Sequence, residues 1–361
     1  MIDDLEKMFL LSKEYFENGK EDQAISILKD IIAKDPGFSR AYYSLGFAYM
    51  ETGNNAQAVS ILLELIALEP DWDIAHLQLG KAYENQRQWE KSLNAYQRAA
   101  ALKPENPYTR MHLGIMYQVL SQLEQSVDEL QAAYSLGLRE YEVVYNLANG
   151  LYKLDRLDEA LEIIQVAIGD NPSNAYLYNL RARIYLELER LQEAGQDFRK
   201  AAMSDPGEAR FAIDLGDYYF EQDELENAIQ AYTQALASDD YKGKALKSIG
   251  SAYLGLGDWQ SAAKKLELAK ASGEAVFYNL GLAYYELYEN EQAIENFRLE
   301  LTTDGPAKAV ACYYLGFIYD DMGNKKSAQE TYKQFLELAA IHSQEPEWQQ
   351  WIIDVKEKLA D

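Results

Sequence analysis

Apolar residues recur along this chain at three- and four-residue spacings, the mark of helices that bury one face. In the stretch "AYYSLGFAYMETGNNAQAV", Tyr42, Leu45, Gly46 and Tyr49 form one such stripe. Tyr43, Phe47 and Met50 form a second at the same spacing on another side of the same helix. A helix packed on one neighbour needs only the first stripe. The second calls for an occupant of its own.

The double pattern repeats. A small residue in the second helix of each unit falls at Ala24, Ala58, Ser92, Ser126, Ala160, Ala194, Ala228, Ala262, Ala293 and Ala328. Successive spacings are 34 residues seven times, then 31, then 35, which is too regular for chance. Let that residue be the twentieth of its unit. Leucine then takes the seventh position (Leu11, Leu45, Leu79) and glycine the eighth (Gly46, Gly80, Gly114). Tyrosine takes the eleventh, from Tyr15 to Tyr319, and proline closes five units at Pro36, Pro70, Pro104, Pro172 and Pro206.

Each element has a physical reason. A small residue at positions eight and twenty lets two helices approach closely. Large residues at eleven and twenty-four, such as Tyr49 and Leu62, are expected to fill the space between them. Glycine in "ETGN", "GLGD" and "DMGN" tolerates the left-handed conformation that ends a helix. Proline stops the second helix, because it cannot extend the hydrogen-bond ladder.

This period and its residues resemble the tetratricopeptide repeat, a helix–turn–helix unit of 34 residues. The resemblance covers about residues 5 to 340 and implies an all-α, right-handed superhelical solenoid of antiparallel helix pairs. Expected units span 5–38, 39–72, 73–106, 107–140, 141–174, 175–208, 209–242, 243–273, 274–308 and 309–340. Residues 341–361 are expected to form a C-terminal capping helix, with Trp348, Trp351, Ile352, Val355 and Leu359 on one stripe. The eighth unit is three residues short, so the stacking is expected to be irregular near Gly273.

In the resembled family, positions two, five, nine and twelve of the first helix line a concave surface where partners bind. Here those forty positions hold 24 apolar residues, or 60% against 48% for the chain, so the stripe is enriched. Thirteen are Phe or Tyr, and cations outnumber acids by seven to five in a chain of net charge −25. Two readings stand side by side: rings packed between neighbouring repeats, or an exposed surface for another polypeptide. The second makes Phe9, Tyr43, Phe47, Met50, Lys81, Tyr145, Asn146, Asn149, Arg183, Arg210, Tyr278, Tyr285, Tyr313 and Phe317 the expected partner-binding groove. It has greasy ends and a polar middle, suited to an extended or amphipathic segment. Family members that grip chaperone carboxylates place Lys at five and Asn at nine of one unit. Lys247 here is followed by Ser251 and Asn149 is preceded by Tyr145, which disfavours that use.

Composition trims the alternatives. The acidic balance opposes general nucleic-acid binding, which needs clustered Lys and Arg. No apolar run approaches the roughly 18 residues of a membrane span. The N-terminus opens on Asp3, Asp4 and Glu6 rather than on the basic residues of a secretory signal, so a cytoplasmic location is expected, with no membrane insertion. The lone Cys312 permits no internal disulfide or cysteine-based zinc cluster. His76, His112 and His342 come with no HExxH or carboxylate array, and "GLGDW" at Gly255 lacks the lysine of a phosphate loop. No catalytic residue, metal or cofactor is expected. The sequence points to a non-catalytic interaction scaffold that binds a protein or peptide. The alternatives are a self-assembling solenoid, whose groove takes a neighbouring copy's last helix, and a peptide-sensing regulator.

Overall fold

The computed structural model describes residues 2–305, 307–342 and 345–360, and among them every regular element is a helix. Met1, Pro306, Ser343, Gln344 and Asp361, the last three of them within the expected cap, lie outside the described residues. The chain forms two compact units.

The first unit, Met1–Pro172, is five consecutive helix pairs. They begin with α1 (Ile2–Glu17) and α2 (Glu21–Lys34), then α3 (Ser39–Glu51) and α4 (Asn55–Leu68). Next come α5 (Asp73–Asn85) and α6 (Trp89–Leu102), then α7 (Pro107–Val119) and α8 (Leu123–Ser135). The last pair is α9 (Tyr141–Lys153) and α10 (Leu157–Asp170). Turns this short force neighbouring helices to run antiparallel.

The second unit, Ser173–Asp361, starts with α11 (Ala175–Glu187) and α12 (Leu191–Ser204), then α13 (Ala209–Glu221) and α14 (Leu225–Gln234). After them come α15 (Asp239–Gly255) and α16 (Trp259–Ala271), then α17 (Phe277–Glu286) and α18 (Asn290–Leu301). The pair α19 (Lys308–Asp321) and α20 (Lys325–Ala339) precedes the terminal helix α21 (Pro346–Ala360).

Close approach within a pair rests on the small residues. A Cβ added at Gly80 would lie 2.4 Å from the Tyr96 ring, and one at Gly316 only 2.2 Å from the Tyr332 ring. Opposite them, all ten residues at position twenty-four are buried, from Leu28 to Tyr332. The eleventh position behaves differently from the sequence expectation. Its tyrosines are mostly half-buried at the margin of the pair, where Lys29 lies 5.6 Å over the Tyr49 ring and Arg190 4.4 Å over Tyr185. A phenol keeps its hydroxyl wet there while its ring covers apolar surface.

One turn residue per pair is left-handed, whatever its type. Gly53, Gly257 and Gly323 have φ of 74°, 72° and 75°. The same slot in other pairs holds Arg87, Ser121, Asp155, Glu189, Asp223 and Tyr288, with φ between 56° and 61°. The backbone route is therefore imposed by packing on both sides of the turn, against a local cost of about 1–2 kcal/mol per residue.

The irregularity near Gly273 is mild: a turn at φ 90° and a first helix, α17, of 10 residues. A larger one lies upstream, where α14 gives way to a turn of 3-10 helix over Ala235–Ala237 and α15 begins at Asp239. The segment "SDDYKGKA" carries no proline, so nothing delays the start of that helix.

Candidate binding faces

The second stripe divides by position. At position five, half of the ten residues are buried, whereas none at nine or twelve is. In the first two pairs an aromatic residue at the end of the unit folds back over the ring at its fifth position: Phe38 on the buried Phe9 with centroids 5.6 Å apart, and Trp72 on the half-buried Tyr43 at 5.5 Å. Phe38 and Trp72 sit at the N-caps of α3 and α5, where the chain changes direction. Sequence reasoning missed both, although a ring just before a first helix was the available signal.

In the first unit, Phe9 is 3% exposed and lies beneath Lys13 at 4.9 Å and Arg40 at 5.0 Å. Arg40 also pairs with Glu6. Phe9 is thus a packing residue, and the groove expectation fails for it because its ring is sealed. Phe47 is 38% exposed, and its ring meets Phe16 at 5.6 Å. Together with Ser12, Lys13, Glu17, Tyr43 and Ser44, and with Ala24 and Leu28 at its floor, they line a pocket of about 150 Å³. Met50 is half-buried one turn beyond Phe47.

Further along this unit the stripe turns polar. Lys81 is half-buried, and its charge joins burial in holding the His112 imidazole down to about 4. The His112 ring is stacked on Tyr96 at 5.4 Å, and His76 lies 2.9 Å from the Pro70 carbonyl oxygen through Nε2. Both histidines have structural surroundings. Tyr145 and Asn149 are half-buried, with Tyr145 5.5 Å from the Tyr141 ring. Asn146 donates to the Glu142 carbonyl at 2.8 Å, so part of its amide is spent on its own helix.

The second unit opens with a wired polar cluster. Buried Asn179 donates to Asp214 Oδ2 at 2.8 Å. Burial raises the Asp214 carboxyl above the usual range and outweighs this hydrogen bond and the charges of Arg183 and Arg210. Arg183 is exposed. Arg210 lies 5.3 Å over Tyr176, whose hydroxyl donates to Glu208 at 3.1 Å. Asp217 accepts from the Tyr232 hydroxyl at 2.7 Å and faces Lys244 at 3.8 Å.

Toward its end the same unit is aromatic. Tyr278 is half-buried, and burial, then the Glu300 charge, raises its phenol. Tyr285 meets Tyr314 edge-on at 5.0 Å. Tyr313 and Phe317 lie 4.7 Å apart, but α21 lies upon them. Trp351 stacks on Tyr313 at 5.3 Å, Trp348 lies 6.4 Å from Phe335, and Val355 is fully buried. Lys358 sits 5.6 Å over Phe317 and bonds Asp320 at 2.7 Å. The expected free end of the stripe is therefore occupied by this chain's own last helix. Nearby, Cys312 is fully buried in α19, and burial pushes its thiol up to about 12. Among the described residues no group of three or more His, Cys, Asp or Glu could hold a metal ion, and no helix is long and apolar enough to cross a membrane.

Models of the tetratricopeptide repeat match residues 15–82, 74–106, 145–209, 199–245, 213–276 and 309–342. No curated protein matches this sequence. Among solved structures, the C-terminal part of a TPR repeat-containing protein from Cytophaga hutchinsonii matches at 17% identity and a TM-score of 0.55. That match covers 67% of this chain and 99% of the other. A tetratricopeptide repeat protein from Parabacteroides merdae matches at 18% identity and a TM-score of 0.50, covering 69% of this chain and 99% of the other. At these identities the likeness is one of fold.

Proposed function

The chain belongs to the tetratricopeptide repeat family, and from that premise we propose that it is a non-catalytic scaffold binding an extended or amphipathic segment of a protein partner. The segment lies along the first-helix face, with its main anchor at the Phe16–Phe47 pocket. One observation carries this reading: in the first unit no residue at the ninth or twelfth position is buried, and Phe16 and Phe47 at those positions frame a pocket that reaches solvent. A half-open apolar pocket rimmed by two rings and by Lys13 fits one apolar side chain of a bound segment. The exposed Lys13 at the rim of this pocket suits a partner that brings an acidic residue beside its apolar anchor.

Selection of peptides from a random library on the full chain, followed by titration of the best binder, tests the reading. Replacing Phe16 and Phe47 together with Ala is expected to weaken that binder by about tenfold or more, as loss of an interface anchor does. An unchanged affinity would remove the pocket from the account.

A further inference from the structure

The seat of α21 holds an internal inconsistency. In two earlier pairs the tyrosine at position twenty-four donates to an acid on the first helix: Tyr96 to Glu84 at 2.5 Å and Tyr232 to Asp217 at 2.7 Å. In the last pair the corresponding ring is Tyr332, and Asp320 stands where Glu84 stands. There Asp320 is held by Lys358 of α21, and the buried Tyr332 hydroxyl has no hydrogen-bond partner. Alongside, a pocket of about 180 Å³ opens at the edge of α21, lined by Asp320, Ala328 and Tyr332 and by the exposed Lys325, Gln329 and Lys358. A buried orphan hydroxyl weakens the docked state, and lifting the helix would release both Asp320 and Tyr332 to pair.

We propose that the face of α19 and α20 beneath α21 is a helix-binding site, held in cis by α21 until an amphipathic helix of a partner displaces it. The chemistry of that partner is set by what the seat already accepts. It carries two aromatic rings three residues apart, as Trp348 and Trp351 are, a small apolar residue one turn on, as Val355 is, and then a cation for Asp320. A second copy brings the identical helix but is already satisfied by its own, so exchange between copies gains no contact. A foreign helix with a better cation or a fuller fit to the pocket does gain. This deepens the scaffold reading and rests on it only for the existence of a partner.

Hydrogen exchange on the full chain tests the device without any partner, so its failure is distinct from failure of the scaffold reading. The α21 amides are expected to exchange well ahead of those in α20. Tyr332→Phe removes the orphan hydroxyl and is expected to slow α21 exchange by about tenfold, whereas Lys358→Ala speeds it by a similar factor. A fluorescein-labelled synthetic peptide of residues 346–361 is then expected to bind the Lys358→Ala chain about tenfold more tightly than the wild type. Equal exchange of α21 and α20, or no response to Tyr332→Phe, would make α21 a fixed cap and overturn the proposal. Dimerisation of the Lys358→Ala chain in sedimentation would name a second copy as the occupant and overturn the foreign partner.

Discussion

The first and second units spend the same residue types in opposite ways. In the first, Phe16 and Phe47 frame a pocket that reaches solvent. In the second, Tyr313 and Phe317 form another aromatic pair on a first-helix stripe, and α21 lies across them. The stripe is the same; what differs is the element that follows it in the chain. A repeated pattern therefore fixes where rings are placed, and the terminal segment decides whether they are available.

Acid should break the symmetry of the two units most strongly. His112, in the first unit, is held neutral by burial and Lys81, with its pKa lowered from 6.5 to about 4. A depressed histidine refuses a proton that the unfolded chain accepts, so stability falls as pH drops from about 6.5 toward about 4. A shift of this size corresponds to roughly 3 kcal/mol, fully lost below the lower value. Unfolding followed by exchange at pH 7 and pH 4.5 should show the first unit weakening, and His112→Leu should remove that dependence.

Next in size is a contrast of glycines. At Gly316 an added methyl meets the Tyr332 ring at 2.2 Å, while at Gly46 it meets Cγ and Cδ2 of Leu62 at 2.8 Å. Gly316→Ala is expected to cost about 2 kcal/mol by overpacking. Gly46→Ala should cost less, because its contact is longer and alanine favours the helix by about 1 kcal/mol. Urea denaturation of both variants decides this, and equal losses would mean that Tyr332 yields as easily as Leu62.

Smaller still is the stability effect at the open pocket. Phe47→Ala, at a ring 38% exposed, should change stability by less than about 1 kcal/mol while weakening a selected peptide. Smallest is Tyr288→Gly, which relieves a left-handed residue that is 90% exposed. It is expected to raise stability by about 0.5 kcal/mol once the greater freedom of the unfolded glycine is subtracted. A shift in denaturation midpoint at constant slope reads it.

Much of the architecture was legible because close packing leaves few choices. Gly46 facing Leu62 or Gly80 facing Tyr96 can mean only a tight pair, and the glycines at Gly53 and Gly323 mark the turn within it. The left-handed slot was legible only where glycine filled it, since Arg87 and Tyr288 give no local hint of a conformation forced from outside. The site was half legible. Spacing located the stripe, but sealing of Phe9 depends on Phe38 folding back from the end of its unit. Covering of Tyr313 depends on a helix more than thirty residues later. Asn146 was expected to hold a peptide, but part of its amide goes to the Glu142 carbonyl. Such pairings are decided by side-chain reach and not by periodicity.

The lone thiol turns the last pair into a clock. Cys312 has no exposed surface, and its burial keeps it in the unreactive protonated form. A thiol reagent can reach it only during an opening that parts α19 from its neighbours, so the rate of labelling counts those openings one molecule at a time. With no other cysteine in the chain, that signal has a single origin.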